Sequence, residues 1–246
     1  MALPKIDVPT YDITLPVSKK QIRYRPFLVK EQRNLLMAME SSDSGSVHSA
    51  IRDILYNCTL TEGVDIERLP IVDVEYYFIN LRAKSVGEIV DSKYRCNNMV
   101  TGKDGELKEC NNLMDSELNL TEVQVEMPEN VSDEIQLTDT LILKMKYPEF
   151  GIVKDSANMT NESDITFNML AQSVEYIYDG DQFYYGHETP IEEMVEFIEM
   201  LSQEQFSKIE AFFNNMPKLS SKVEMKCSKC GFHHIIPVEG LESFFG

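Results

Sequence analysis

Residues 223–240 read "VEMKCSKCGFHHIIPVEG", and the Cys227-x-x-Cys230-Gly231 at their centre decides how the rest of the chain is read. Gly231 stands where a sharp turn calls for a positive backbone angle, which glycine adopts without steric cost. Strand-forming residues flank it on both sides, so the stretch reads as strand, turn and strand. Such a turn aims two sulfurs and nearby backbone amides at one ion, the form of a zinc knuckle. Structural zinc takes four ligands, so half of the shell has to come from elsewhere.

Cys96 and Cys110, in "YRCNNMVTGKDGELKECNN", supply the expected second pair. Thirteen residues separate them, against the usual two to four. The spacer is polar and rich in turn residues, so it reads as a loop inserted into an otherwise ordinary knuckle. A further 116 residues lie between Cys110 and Cys227. An ion held by Cys96, Cys110, Cys227 and Cys230 would therefore join remote stretches and make the body between them an insertion within a split ribbon. The competing reading is four buried, apolar thiols. His233 or His234 is an alternative to one member of the first pair; neighbouring strand side chains point to opposite faces, so at most one of them faces the ion. Cys58, alone on an apolar helix face, reads as core. Four thiolates fill a tetrahedral shell and leave no position for water or substrate, which makes the expected zinc structural.

Outward from the cysteines, the pattern alternates between helix and strand. Prolines 4, 9 and 16 make the opening an extended arm, and "KQIRYRPFLV" is a short strand ended by Pro26. "VKEQRNLLMAME" reads as a helix with Leu35, Leu36 and Met39 on one side; a second, serine-capped, buries Ile51, Ile54, Leu55 and Cys58. "LPIVDVEYYFINLRAKSVGE" starts at Pro70, stops at Gly87 and is apolar around most of its circumference, which puts it at the centre of the N-terminal half. From Glu88 the period shortens to that of half-buried antiparallel strands, with Leu118, Leu120, Val123 and Val125 in one run and Leu141, Leu143 and Met145 in another. Helices return near Asp164. Thr189 with Pro190 and Glu192, and Ser202 with Gln205, form start signals for two of them.

The expected fold is α+β, with helical N-terminal and C-terminal parts around a small antiparallel β region that carries a split zinc-ribbon-like site. Residues 1–87 form the arm, strand and helices; 88–120 with 221–246 form the ribbon module; 121–220 form an inserted strand and helical-hairpin region.

Composition narrows the chemistry. The chain holds 41 acidic and 23 basic residues, for a net charge of −18, which repels phosphate backbones, and no Lys/Arg stripe interleaved with aromatics compensates locally, so nucleic-acid binding is disfavoured. No apolar window is long enough to cross a bilayer, and the N-terminus lacks a signal-peptide pattern, so the expected setting is cytoplasmic and the cysteines are thiols or ligands. His48 and His187 fall in polar surroundings and read as solvated. No nucleophile, phosphate-loop or metalloprotease pattern is present, which leaves catalytic residues unassigned and favours a non-enzymatic protein that binds other proteins. "DGDQFYYG" reads as a hairpin with exposed aromatics.

Taken together, "RYRPFLVKEQRNLL", the "LPIVDVEYYFINLRAKSVGE" helix, the first cysteine pair, the strand-rich middle and the closing "CSKCGFHHIIPVEGLESFF" with Phe244 and Phe245 resemble the baseplate hub assembly proteins of T4-like contractile-tailed phages. The resemblance runs over nearly the whole chain. It implies an assembly factor, or chaperone, for the central hub of the tail baseplate, with phage baseplate hub and tail proteins as partners and neither nucleic acid nor membrane. It also implies action in the host bacterial cytoplasm, without hydrolytic or transfer chemistry. The alternative it carries is a permanent structural subunit of the hub, retained in the virion.

Overall fold

From Asp7 onward, the N-terminal segment read as an arm folds back on itself in the computed structural model, which describes residues 7–41, 44–102, 105–128, 132–152 and 161–239; Pro4, Phe244 and Phe245 lie outside them. Strands Tyr11–Thr14 and Gln21–Tyr24 pair antiparallel, Tyr11 opposite Tyr24. Lys19, at φ 58°, makes the turn between them. Prolines 9 and 16 flank the first strand without interrupting it, so the extended backbone they favour is used in a ladder.

Contacts divide the chain into two compact units, Met1–Val74 with Met127–Pro217, and Glu75–Glu126 with Lys218–Gly246. The described residues form a mixed α+β architecture of six helices and several small antiparallel sheets.

In the first unit, helix Val29–Glu40 begins with Glu31, whose carboxylate accepts the Leu28 amide at 2.8 Å and pairs with Arg25 at 3.0 Å. Leu35 is buried, whereas Leu36 and Met39 are exposed, unlike the single apolar side expected. Leu36 lies about 100° around the helix from Leu35, so the two cannot share a narrow contact stripe. Helix Ser44–Cys58 buries Ile51, Ile54, Leu55 and Cys58 as expected, while its cap falls outside the described residues. His48, read as solvated, stacks on Phe150 with centroids 3.9 Å apart, and its Nε2 lies 3.0 Å from the Phe150 carbonyl oxygen. An aromatic distant in sequence covers that ring, and no local signal announces such a partner.

Helix Ile71–Ser85 follows Pro70 and precedes Gly87, at φ 141°. Its fully buried Asp73 accepts the amides of Val17 and Ser18, each at 2.8 Å, which ties the end of the N-terminal hairpin to the helix start. Asp73 lies in the first unit; the helix from Glu75 onward belongs to the second.

The largest sheet of the first unit runs in the order Phe183–Tyr185, Val174–Tyr178, Ile142–Met145, Glu134–Gln136, with every neighbour antiparallel. Alternation buries Ile135, Leu143 and Ile177 on one face. They join a core with Leu170 of helix Glu162–Gln172, Met194 and Ile198 of helix Ile191–Glu199, and Ile209 and Phe212 of helix Gln203–Asn214. Ser202 and Gln205 form the expected capping box. Thr189 does not cap its helix: the cap is Pro190, and the Thr189 hydroxyl donates back to the Tyr185 carbonyl at 3.0 Å.

Two long hairpins build the second unit, with a smaller one inserted in the first of them. Ile89–Arg95 pairs with Leu113–Asn119; Lys218–Lys226 pairs with His233–Glu239 and, on its other edge, with Gln124–Glu126. Val90, Leu118, Leu120, Val123, Leu219, Val223 and Val238 close over Ile79 and Ala83 of the helix. The run read as one alternating strand from Leu118 to Val125 is interrupted by a 3-10 turn, Leu120–Glu122, at which the Asn119 side chain accepts the Thr121 amide at 3.1 Å. Its apolar residues are buried or half-buried despite the break.

Candidate metal centre

Each long hairpin of the second unit ends in a cysteine turn. After Lys226 the chain makes Cys227-Ser228-Lys229-Cys230-Gly231, with Gly231 at φ 75°. The Cys227 amide donates to the Phe232 carbonyl at 2.8 Å, and the Gly231 amide donates to the Cys227 carbonyl at 2.9 Å. After Arg95 the same frame recurs. The Cys96 amide donates to the Asn112 carbonyl at 2.9 Å, and the Asn111 amide to the Cys96 carbonyl at 2.9 Å. Asn111, at φ 51°, takes the place of Gly231; Asn is among the few other residues that tolerate this conformation.

The long spacer of the first turn is folded. Met99–Thr101 and Leu107–Glu109 form a small antiparallel hairpin, closed at its base by the Cys110 amide donating to the Asn98 carbonyl at 2.8 Å. The turn is thus a two-residue spacing, Asn97 and Asn98, with a hairpin spliced in before the second cysteine.

The two turns bring together the four sulfurs predicted from the sequence. All lie within 4.8 Å of one another. Cys96 Sγ is 3.6 Å from Cys230 Sγ and Cys110 Sγ is 3.8 Å from Cys227 Sγ, too far apart for disulfides, and all four are free thiols. A tetrahedral ion with metal–sulfur bonds of about 2.3 Å sets its sulfurs about 3.8 Å apart, so the donor set fits a thiolate-bound ion. Three of the four cysteines are buried, and Cys230 is half-buried.

Backbone donors and burial oppose one another at all four thiols. The amides of Cys230 and Lys229 donate toward Cys227 and, against the cost of burial, bring its thiol down to about 6. The Phe232 amide lowers Cys230 in the same way. Burial pushes Cys96 up to about 12 and raises Cys110. Both turns offer their sulfurs backbone donors, those of Asn98 and Asn112 against a larger cost of burial, and a bound cation would hold all four sulfurs ionised.

Several partners of this site carry no spacing signal. His234 is buried with Nε2 3.2 Å from Cys96 Sγ, but it displaces no cysteine from the four-sulfur group. His233, on the other side of the strand, is exposed. Asn98 Nδ2 lies 3.6 Å from Cys230 Sγ, Lys229 Nζ donates to the Cys110 carbonyl at 3.0 Å, and Asn112 Nδ2 donates to Ser228 Oγ at 3.2 Å. A repeated Cys-Asn-Asn at 96–98 and 110–112 was the signal available for the asparagines. Cys58 lies apart from the cluster, with burial raising its thiol to about 11, which agrees with a core role.

Fold and site thus define a class: an α+β protein with two cysteine turns, from remote parts of the chain, that converge on one buried four-sulfur centre. The chain belongs to the T4 bacteriophage base plate protein family, whose model matches residues 8–246. It is 25% identical over 240 residues, 96% of this chain and 97% of the other, to the "Baseplate hub assembly protein gp26" of Enterobacteria phage T4. No solved structure matches it. Among the described residues no helix is long and apolar enough to cross a membrane.

Proposed function

We propose that this protein is a non-enzymatic assembly factor for the central hub of a contractile phage tail baseplate, acting through protein contacts in the infected host's cytoplasm. The observation that carries this reading is end-to-end similarity to a protein described as a hub assembly protein, within a base plate family that covers nearly the whole chain. The net charge of −18 favours basic or mixed protein partners over nucleic acid.

The same reading assigns a zinc ion to Cys96, Cys110, Cys227 and Cys230 as a fastening for the second unit. Sulfur spacing, burial and backbone donors to Cys227 and Cys230 support it. Zinc supplies cross-linking here: with four thiolates bound it offers no open coordination position for chemistry. Metal analysis of the purified protein is expected to return one zinc per chain.

The decisive experiment is infection with the protein's gene disabled. Hubs are expected to fail and to be restored by the protein supplied in trans; normal particle yield without it would sink the reading. Mass spectrometry of purified particles then distinguishes a factor that leaves from a permanent subunit. An assembly factor is absent or far below one copy per hub position, whereas a structural subunit is stoichiometric.

A further inference from the structure

Among the described residues, the four-stranded sheet of the first unit packs one face and leaves the other half-buried at its centre and exposed along its edge strand. Opposite to Ile135, Leu143 and Ile177, the register sets Tyr185 beside Tyr176 and Phe183 beside Tyr178. Their rings touch in sequence: Tyr178 to Phe183 at 4.7 Å, Tyr176 to Phe183 at 5.2 Å, and Phe183 stacked on Tyr185 at 6.0 Å. Phe183 is 50% exposed and Tyr185 40%, although both lie in an edge strand with a packed core behind it. Contiguous apolar surface of this kind is uncommon on a protein that acts alone.

One carboxylate reaches the rings directly, and the chain around them is acidic. Asp179, before the edge strand, accepts the hydroxyl of Tyr184 at 3.0 Å, and His187, after it, lies 5.6 Å from the Tyr185 ring and 3.6 Å from Glu188. Glu134, on the far side of the sheet, accepts the Tyr176 hydroxyl at 3.1 Å. Lys144, beside Tyr176, is already paired with Asp133 at 2.8 Å and Glu134 at 3.8 Å. The platform thus presents aromatic faces within negative charge, the combination that attracts a guanidinium or ammonium group.

We propose that this face docks a basic segment of a partner protein, with arginine or lysine side chains lying over Tyr176, Phe183 and Tyr185 and the acidic surface, Glu134 included, drawing them in. Stacked aromatics on a sheet also suit unpaired bases, but a phosphate backbone would meet the same carboxylates and a chain of net charge −18. The proposal rests on the assembly-factor reading and supplies the chemistry of the partner.

The test titrates a labelled deca-arginine peptide with the full-length protein at near-physiological salt, beside deca-glutamate and a ten-nucleotide oligo-dT. Deca-arginine is expected to bind, and the double variant Phe183→Ser/Tyr185→Ser, which leaves net charge unchanged, to lose about tenfold in affinity, the equivalent of two modest cation–π contacts. Binding of the variant within twofold of the parent would show bulk charge at work and overturn the proposal, as would preferential binding of oligo-dT. If the variant fails to fold, the parent protein carries the test by NMR. Ring-proton shifts on peptide addition are expected to concentrate at Tyr176, Phe183 and Tyr185; shifts scattered over the acidic surface overturn the idea. A variant that loses the peptide yet restores infection also removes the docking site and leaves the assembly reading intact. Failure of the parent protein to restore infection removes that reading instead.

Discussion

The two cysteine turns share one hydrogen-bond frame and differ in what lies between their sulfurs. In the C-terminal turn Ser228 and Lys229 separate Cys227 from Cys230; in the other, thirteen residues separate Cys96 from Cys110. Both close through the same two backbone bonds, first cysteine to the residue after the turn and positive-φ residue back to the first cysteine. Ligand spacing along a chain is therefore a proxy for a local frame. An insertion that returns to its starting point leaves the frame untouched, and the small hairpin does so through the Cys110 to Asn98 bond.

If the turns are equivalent halves of one zinc site, Cys227→Ser and Cys110→Ser do equal damage despite their unequal spacing. Structural zinc contributes on the order of 10 kcal/mol in comparable small sites, so each variant is expected to lose its zinc and the cooperative unfolding of the second unit. Metal analysis and thermal melts followed by circular dichroism check this. A Cys110→Ser protein that kept full zinc and its melting temperature would break the equivalence. Chelation of the parent protein should reproduce the variants.

The next prediction concerns the outer partner at which the two turns differ. His234 Nε2 meets Cys96 Sγ, whose thiol burial pushes up. His234→Ala is expected to weaken zinc about tenfold in competition with a chelator, the lower end for lost outer partners of a metal ligand, and His233→Ala to leave it unchanged. Equal effects from the two histidines would contradict the strand parity that separates them.

Deleting the hairpin sharpens the comparison further. Removal of residues 99–109 joins Asn98 to Cys110 and leaves Cys-Asn-Asn-Cys-Asn, the spacing of Cys-Ser-Lys-Cys-Gly. The protein is expected to keep its zinc and a melting temperature within a few degrees of the parent, because the excised segment is local, Met99 and Leu107 are exposed, and Val100, which packs against the cysteine cluster, is itself half-buried. Loss of the metal would mean that the hairpin holds the turn together instead of interrupting it.

How much of this was legible depended on whether a signal was local. Gly231 after two spaced cysteines announces its turn by itself, as do Pro70 before its helix and Ser202 with Gln205. Cys96 and Cys110 were readable by composition, since polar turn residues between strand-like flanks mean a loop-out. Parity limited the histidines to one but could not select His234, because nothing in the sequence says which strand face meets the sulfurs. The stacking of His48 on Phe150 depends on a partner 102 residues away. Likewise, the division of helix Ile71–Ser85 at Val74 and Glu75 has no local mark, because the helix is apolar nearly all round.

The finest difference between the turns is the residue at positive φ. Gly231 has open space where a Cβ would stand, so Gly231→Ala costs backbone conformation alone, about 1 kcal/mol, or roughly 2–4 °C in melting temperature. Asn111 already carries a side chain at φ 51°, a conformation that asparagine accepts at a small cost and glycine at none. Asn111→Gly should then stabilise by a few tenths of a kcal/mol at most, since glycine also frees the unfolded chain. A calorimetric melt of the zinc-loaded protein measures it. The sign carries the information: clear destabilisation would show that the Asn111 side chain contributes contacts to its turn that Gly231 has no means to make, and the two frames would then match in backbone alone.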